Sequence, residues 1–153
     1  MAATNRTPTV LFVCGHNSGR SQMAEALLNR LAESWGVDVR GQSAGTTPSH
    51  TVNPMAAQAM EEIDISLAGH HPKLLTQEMV DKADRVITMG CGVDSEACPA
   101  RFLVTEDWGL DDPSGQPIEK VRKIRDEIAG RVEKLLTEYE TGEDSIGGKF
   151  RMP

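Results

Sequence analysis

No stretch of the chain is apolar over the length needed to cross a bilayer. The opening residues, Met1–Thr9, are polar, and the apolar run Val10–Val13 is too short for the core of a secretion signal. Both absences lead us to expect a cytoplasmic protein with no membrane partner. Basic residues are in the minority: 16 Lys and Arg against 23 Asp and Glu leave a net charge of −7. That argues against a nucleic-acid partner, which would need a basic face. Cysteine is scarce and odd in number, with three in all. A disulfide framework is therefore not expected, and reactive thiols, metal ligands or plain core residues remain. Internal repeats, low-complexity segments and interdomain linkers are also lacking.

What is present is the composition of one globular domain. The 153 residues are 39% apolar and 25% charged, enough for a single packed core. The whole chain, 1–153, reads as one domain with a folded core over about 8–140. Residues 141–153 carry no periodicity and contain Gly147-Gly148, so a mobile tail is expected there.

Thr9–Val13 is a short apolar run between Pro8 and a glycine-containing loop, which predicts a buried strand. Ala24, Leu27, Leu28, Leu31 and Trp35 recur at helical spacing, so Gln22–Trp35 is predicted helical and ended by Gly36. Val37–Ser43 is a second strand candidate, and Pro54 to about Ile63 a helix with proline in its first turn. A short helix is expected over Lys73–Ala83, and strands over Arg85–Met89 and Arg101–Val104. The clearest helix runs from Pro117 to about Tyr139, with Ile118, Val121, Ile124, Ile128, Val132 and Leu135 on one stripe. Strands alternating with helices predict an α/β fold, a three-layer sandwich around a mainly parallel four-stranded sheet. The site is then expected beyond the C-terminal ends of the strands.

At such a strand end stands Cys14-Gly15-His16-Asn17-Ser18-Gly19-Arg20-Ser21. Five residues between Cys14 and Arg20 let the backbone curl into a cradle of inward N–H groups. Gly15 and Gly19 permit the dihedrals this needs. The N-terminus of the next helix adds donors and positive potential. Arg20 has a planar fork suited to two oxyanion oxygens. Cys14 is the candidate nucleophile, its thiolate favoured by that field, with Ser21 placed to donate to the sulfur. Residues 14–20 are the candidate anion-binding set, with His16 read as a loop residue rather than a base. The cradle also answers the global charge, because short-range donors outweigh distant, screened carboxylates.

Val10–Ala26 (VLFVCGHNSGRSQMAEA) resembles the thioredoxin-coupled arsenate reductases of the low-molecular-weight protein tyrosine phosphatase superfamily. The resemblance continues through Ser43-Ala44-Gly45, Asn53-Pro54, the Cys91/Cys98 pair and Glu106–Gly115 (EDWGLDDPSG), and covers about residues 9–137. It implies a low-molecular-weight phosphatase-like fold, arsenate as substrate and Asp112 of the Asp112-Pro113 pair as general acid. Asp111 is the less favoured carboxylate, and Trp108 a packing residue. It further implies a thiol–arsenate adduct on Cys14, then a Cys14–Cys91 disulfide, then Cys91–Cys98, which thioredoxin reduces. No bound cofactor is implied, and a monomer is expected. Relatives bind potassium beside the anion loop; Asn17, Glu25 and Ser43 match three positions of that site. At the fourth, where Asp is expected, a gapless alignment puts Ser66, with Asp64 two residues earlier.

The same cradle serves phosphotyrosine hydrolysis. A tyrosine phosphatase needs aromatic walls for the substrate ring, and neither Gly15-His16 nor Ser114-Gly115-Gln116 supplies one. Reduction of arsenate removes two electrons from the protein, which the Cys91/Cys98 pair can record as a disulfide. Three alternatives stay open: a tyrosine phosphatase, a non-catalytic anion or arsenic sensor, and a zinc site from Cys91, Cys98, His70 and His71. Six residues between the cysteines fit zinc poorly.

Overall fold

The computed structural model describes residues 7–90 and 106–140. Within them the order is β1 (Thr9–Cys14), α1 (Arg20–Trp35), β2 (Arg40–Gly45), α2 (Pro54–Glu61), α3 (Gln77–Lys82), β3 (Arg85–Thr88), β4 (Glu106–Asp107) and α4 (Ile118–Glu140). The strands form one sheet in the order β2-β1-β3-β4, and every pairing is parallel. The fold is the expected α/β class with a parallel four-stranded sheet.

β1 lies inside the sheet, and Val10, Leu11, Phe12 and Val13 are all fully buried. Successive side chains of a strand point to opposite faces, so the run divides between two cores. Val10 and Phe12 join the larger cluster, with Leu27 and Leu28 of α1, Met60 of α2, and Ile128 and Val132 of α4. Leu11 and Val13 join a smaller one with Ala44, Leu75 and Val86, flanked by Met79 and Val80 of α3. Three layers result, with α1, α2 and α4 on one face and α3 on the other. The chain leaves β1 for β2 on one side and later enters β3 on the other. The C-terminal end of β1 is thus the point where the strand order reverses, the usual crevice for ligands in such sheets.

Ion pairs tie the helices in place. Arg122 grips both carboxylate oxygens of Glu62, and Arg125 reaches the same carboxylate and the Ala59 carbonyl, fastening α4 to α2. Arg85 of β3 pairs with Glu106 and Glu138, joining β3, β4 and α4. No helix among the described residues is long and apolar enough to cross a membrane.

Several element bounds differ from the sequence reading. α1 starts at Arg20 rather than Gln22. β2 starts at Arg40 rather than Val37, because Gly36, left-handed at φ 70°, and the Val37 N–H turn back to close the end of α1. Lys73–Thr76 does not open a helix as expected. Leu74 instead bridges Gly45 in parallel, and the helix begins only after Thr76, whose hydroxyl caps the Met79 N–H. The strand expected over 101–104 and the tail over 141–153 lie outside the described residues.

Candidate active site

The loop 14–20 emerges from the end of β1 and is shaped by what its carbonyls do. Cys14, Gly15, His16 and Ser18 give their carbonyl oxygens to the N–H groups of Thr46, Thr47, Ser49 and Asn53. Turning these carbonyls towards the segment after β2 leaves the N–H side of the loop facing inward. Gly45 makes the close approach possible: a Cβ there would lie 2.5 Å from the Gly15 carbonyl oxygen and 3.0 Å from Asn17. Gly19 performs the same service against the ring of Pro113. Gly19 is also the N-cap of α1 and offers no side chain to cap its first turn, so the positive end of the helix faces the cradle.

Cys14 is buried at the floor. Its Sγ lies 3.2 Å from the Asn17 nitrogen, which donates to it, and 2.9 Å from Ser21 Oγ. The direction of the second contact follows from Asn17. The Lys73 N–H can only donate, and it meets Asn17 Oδ1 at 2.8 Å. The amide nitrogen Nδ2 therefore faces Ser21 Oγ and donates to it at 2.7 Å. With its oxygen accepting from Asn17, the Ser21 hydroxyl is left to donate to the sulfur. Asn17 is fully buried and holds a left-handed φ of 51°, a conformation asparagine tolerates better than most residues.

Further donors set Asn17 itself. Gln22 Nε2 faces three acceptors, the Asn17 carbonyl, Asn17 Oδ1 and the His71 carbonyl. Its Oε1 therefore faces His70 Nδ1 at 3.1 Å, and that nitrogen carries the proton. Sequence reasoning did not single out Gln22 or Lys73, and it considered His70 only as a metal ligand. Their contacts span 48 to 56 residues, and no local pattern signals them.

Arg20 is buried with its head over the loop. Nη1 donates to the carbonyls of Met89 and Leu110 at 3.1 and 2.9 Å, while Nη2 lies 3.9 Å from Asp112 Oδ2. Two carbonyls from different strand ends thus aim the fork. Asp112 is half exposed, and its Oδ1 accepts from the Ser114 N–H in an Asx turn. Asp111 points elsewhere: Lys120 Nζ meets it at 2.6 Å. The hydrogen bond and charge of Lys120 hold the Asp111 carboxyl below the usual carboxylate range, with a smaller contribution from Arg20. Cys14, the loop, Gly90, Leu110 and both carboxylates line a cleft of about 430 Å³. No Phe, Tyr or Trp is among the described residues that line it. Trp108 is buried against Phe12 at 5.4 Å between ring centroids, in the packing role expected for it.

Cys91 and Cys98 lie outside the described residues. Gly90, just before them, has φ 84° and donates its N–H to Asp107. A Cβ at Gly90 would collide with the Gly109–Leu110 backbone. Among the described residues no three His, Cys, Asp or Glu side chains cluster closely enough to hold a metal ion.

Residues 9–144 match the family described as low molecular weight phosphotyrosine protein phosphatase. The chain belongs to this family. Among curated relatives, it is 39% identical over 138 residues to arsenate reductase 1 of Bacillus cereus, covering 88% of this chain and 96% of the relative. It is 36% identical over 134 residues to an arsenate reductase of Staphylococcus aureus, at 83% and 95% coverage. Among solved structures, an arsenate reductase in the phosphate binding state superposes with a TM-score of 0.70 at 36% identity, covering 86% of this chain and 98% of that one. A thioredoxin-dependent arsenate reductase of Corynebacterium glutamicum gives 0.73 at 35% identity, covering 92% of this chain and 65% of that one. Solved structures with other activities also superpose on this chain. An arginine phosphatase from Geobacillus stearothermophilus gives 0.71 at 29% identity, covering 88% of this chain and 94% of that one.

Proposed function

We propose that the chain is an arsenate reductase. The observation that carries this reading is the cleft over Cys14: an anion cradle closed by Arg20 and Asp112, with no Phe, Tyr or Trp among the described residues that line it. Such a site suits a small inorganic oxyanion. The relatives at 34–39% identity that bear the name arsenate reductase support it.

In this reading the thiolate of Cys14 attacks arsenic, Asp112 protonates the departing oxygen, and water leaves. The thiolate of Cys91 then attacks Cys14 Sγ. The electrons of the sulfur–arsenic bond stay with arsenic, which leaves as arsenite, and a Cys14–Cys91 disulfide remains. Cys98 attacks Cys91, frees Cys14 and forms Cys91–Cys98. The dithiol of thioredoxin reduces that disulfide by the same exchange chemistry. Residues 14–20 bind the anion, and Ser21 donates to the Cys14 sulfur. The cytoplasm, where thioredoxin is reduced, is the matching compartment. We take the working unit to be a monomer.

Arsenate-dependent oxidation of NADPH with thioredoxin and its reductase tests the proposal. Turnover that stops in Cys14→Ser and after loss of either Cys91 or Cys98 is the expected result. Hydrolysis of an organic phosphate with no arsenate-dependent NADPH oxidation would favour the phosphatase reading, which the family and the arginine phosphatase neighbours make the natural competitor. Stoichiometric arsenate binding without either turnover would favour a sensor.

A further inference from the structure

A carboxylate stands behind the anion loop. Glu25, on α1, is only 17% exposed in its side chain and accepts a hydrogen bond from Ser43 Oγ at 2.5 Å. Ser43 is fully buried on β2, two residues before the Gly45 that abuts the loop. A negative charge half removed from water is costly without a counter-charge. Here it would also oppose the charge of any oxyanion held by residues 14–20. The resemblance assigns that counter-charge to a potassium ion held by Asn17, Glu25 and Ser43.

With the Lys73 ammonium against Glu25, the described residues do not fit that ion. Both lone-pair directions of Asn17 Oδ1 are used, one by Gln22 Nε2 at 3.1 Å and one by the Lys73 N–H at 2.8 Å. The Ser66 hydroxyl accepts from the Ala68 N–H, and the Asp64 carbonyl accepts from Arg30. The residue that faces Glu25 is Lys73, with Nζ 3.7 Å from Oε1. Its backbone is held at both ends, N–H on Asn17 Oδ1 and carbonyl on the Gly45 N–H. The ammonium is therefore delivered to the carboxylate by the same segment that braces the loop.

We propose that Lys73 is a built-in counter-cation, a positioning residue whose ammonium neutralises Glu25 and makes the anion loop independent of potassium. The proposal rests on the loop binding an oxyanion and not on what becomes of that anion. Phosphate binding therefore tests it separately from arsenate reduction. The full chain is measured by calorimetric phosphate titration and by thermal unfolding in potassium, sodium and choline chloride at equal ionic strength. The native chain is expected to give the same phosphate affinity and the same melting temperature in all three salts. Lys73→Gln is expected to bind phosphate roughly three- to tenfold more weakly in choline, the range for losing one partner of a half-buried pair. Potassium should restore part of that loss saturably and raise its melting temperature above that in choline. Lys73→Arg should behave as the native chain. A potassium-specific, saturable gain in affinity or melting temperature for the native chain would overturn the proposal, and it needs no variant to be seen. Native-like phosphate affinity of Lys73→Gln in choline would also overturn it, as would a loss that no cation repairs, since that would make Lys73 a packing residue.

Discussion

Replacing Gly45 by alanine should distort the anion cradle, although Gly45 itself would not meet substrate. The added Cβ would lie 2.5 Å from the Gly15 carbonyl oxygen. Carbon–oxygen contacts settle at about 3.3 Å or more, so roughly 0.8 Å must be found. β2 cannot yield easily: Gly45 donates its N–H to the Lys73 carbonyl, accepts from the Leu75 N–H, and pairs with Cys14 in the sheet register. The loop must therefore move, and Gly15 and Asn17 are the atoms displaced. Overpacking of this kind costs about 1–3 kcal/mol of stability. Misplacement of a reacting group by about 1 Å costs on the order of 10²-fold in rate. Urea unfolding, phosphate titration and arsenate turnover read these separately, and the activity loss should far exceed what the residual unfolded fraction explains. Gly130→Ala is the control. Its Cβ meets nothing within 4 Å on the exposed face of α4, and it should stabilise the chain by about 0.5–1 kcal/mol. Gly45→Ala with native phosphate affinity and native turnover would refute the steric account of the loop.

Asp112→Asn should slow the chemical step by about 10²–10⁴-fold with little loss of phosphate affinity, while Asp111→Asn, which only releases Lys120, should stay near native; an unchanged single-turnover rate in Asp112→Asn would remove it from the acid role. An activated aryl phosphate should be hydrolysed slowly, and this activity should survive Cys91→Ser and Cys98→Ser because it needs the cradle and an acid but no electrons. Its loss in Cys98→Ser alone would make that cysteine structural. Hydrogen bonds from Arg122, against some desolvation, and then from Arg125 lower the Glu62 pKa in the folded chain. Its stabilisation is thus complete above the unfolded carboxylate value of about 4.3 and fades as pH falls through the lowered one. Glu62→Gln should therefore melt below the native chain at pH 7 and converge with it in acid, and a gap independent of pH would contradict the pairing. Hydrogen exchange should quicken over residues 91–97 when a Cys91–Cys98 bond forms, with Gly90 unchanged because Asp107 and the Gly109 backbone hold it.

Local sequence alone determined the class of fold and pointed to the candidate site. The apolar run of β1, the stripes of α1 and α4, and Cys14 and Arg20 between strand and helix are one-dimensional patterns. Strand and helix periodicities are properties of neighbouring residues, so they are legible without a structure. The bounds of β2 and α3 were not legible, because a tertiary pairing of Leu74 with Gly45 and the closing turn at Gly36 overrode local propensity. Nor was the bracing of the loop. Gln22 and Lys73 resemble ordinary polar residues in the sequence, and His70 resembles a metal ligand. Each acquires its role only when chain segments some 50 residues apart meet behind Asn17. The cation position shows the same division most clearly. Residue types at Asn17, Glu25 and Ser43 suggest a potassium site, and a gapless alignment looks for its fourth ligand at Ser66. Folding brings Lys73 to Glu25 instead, because hydrogen bonds to Asn17 and Gly45 set the register of that segment, and sequence spacing does not.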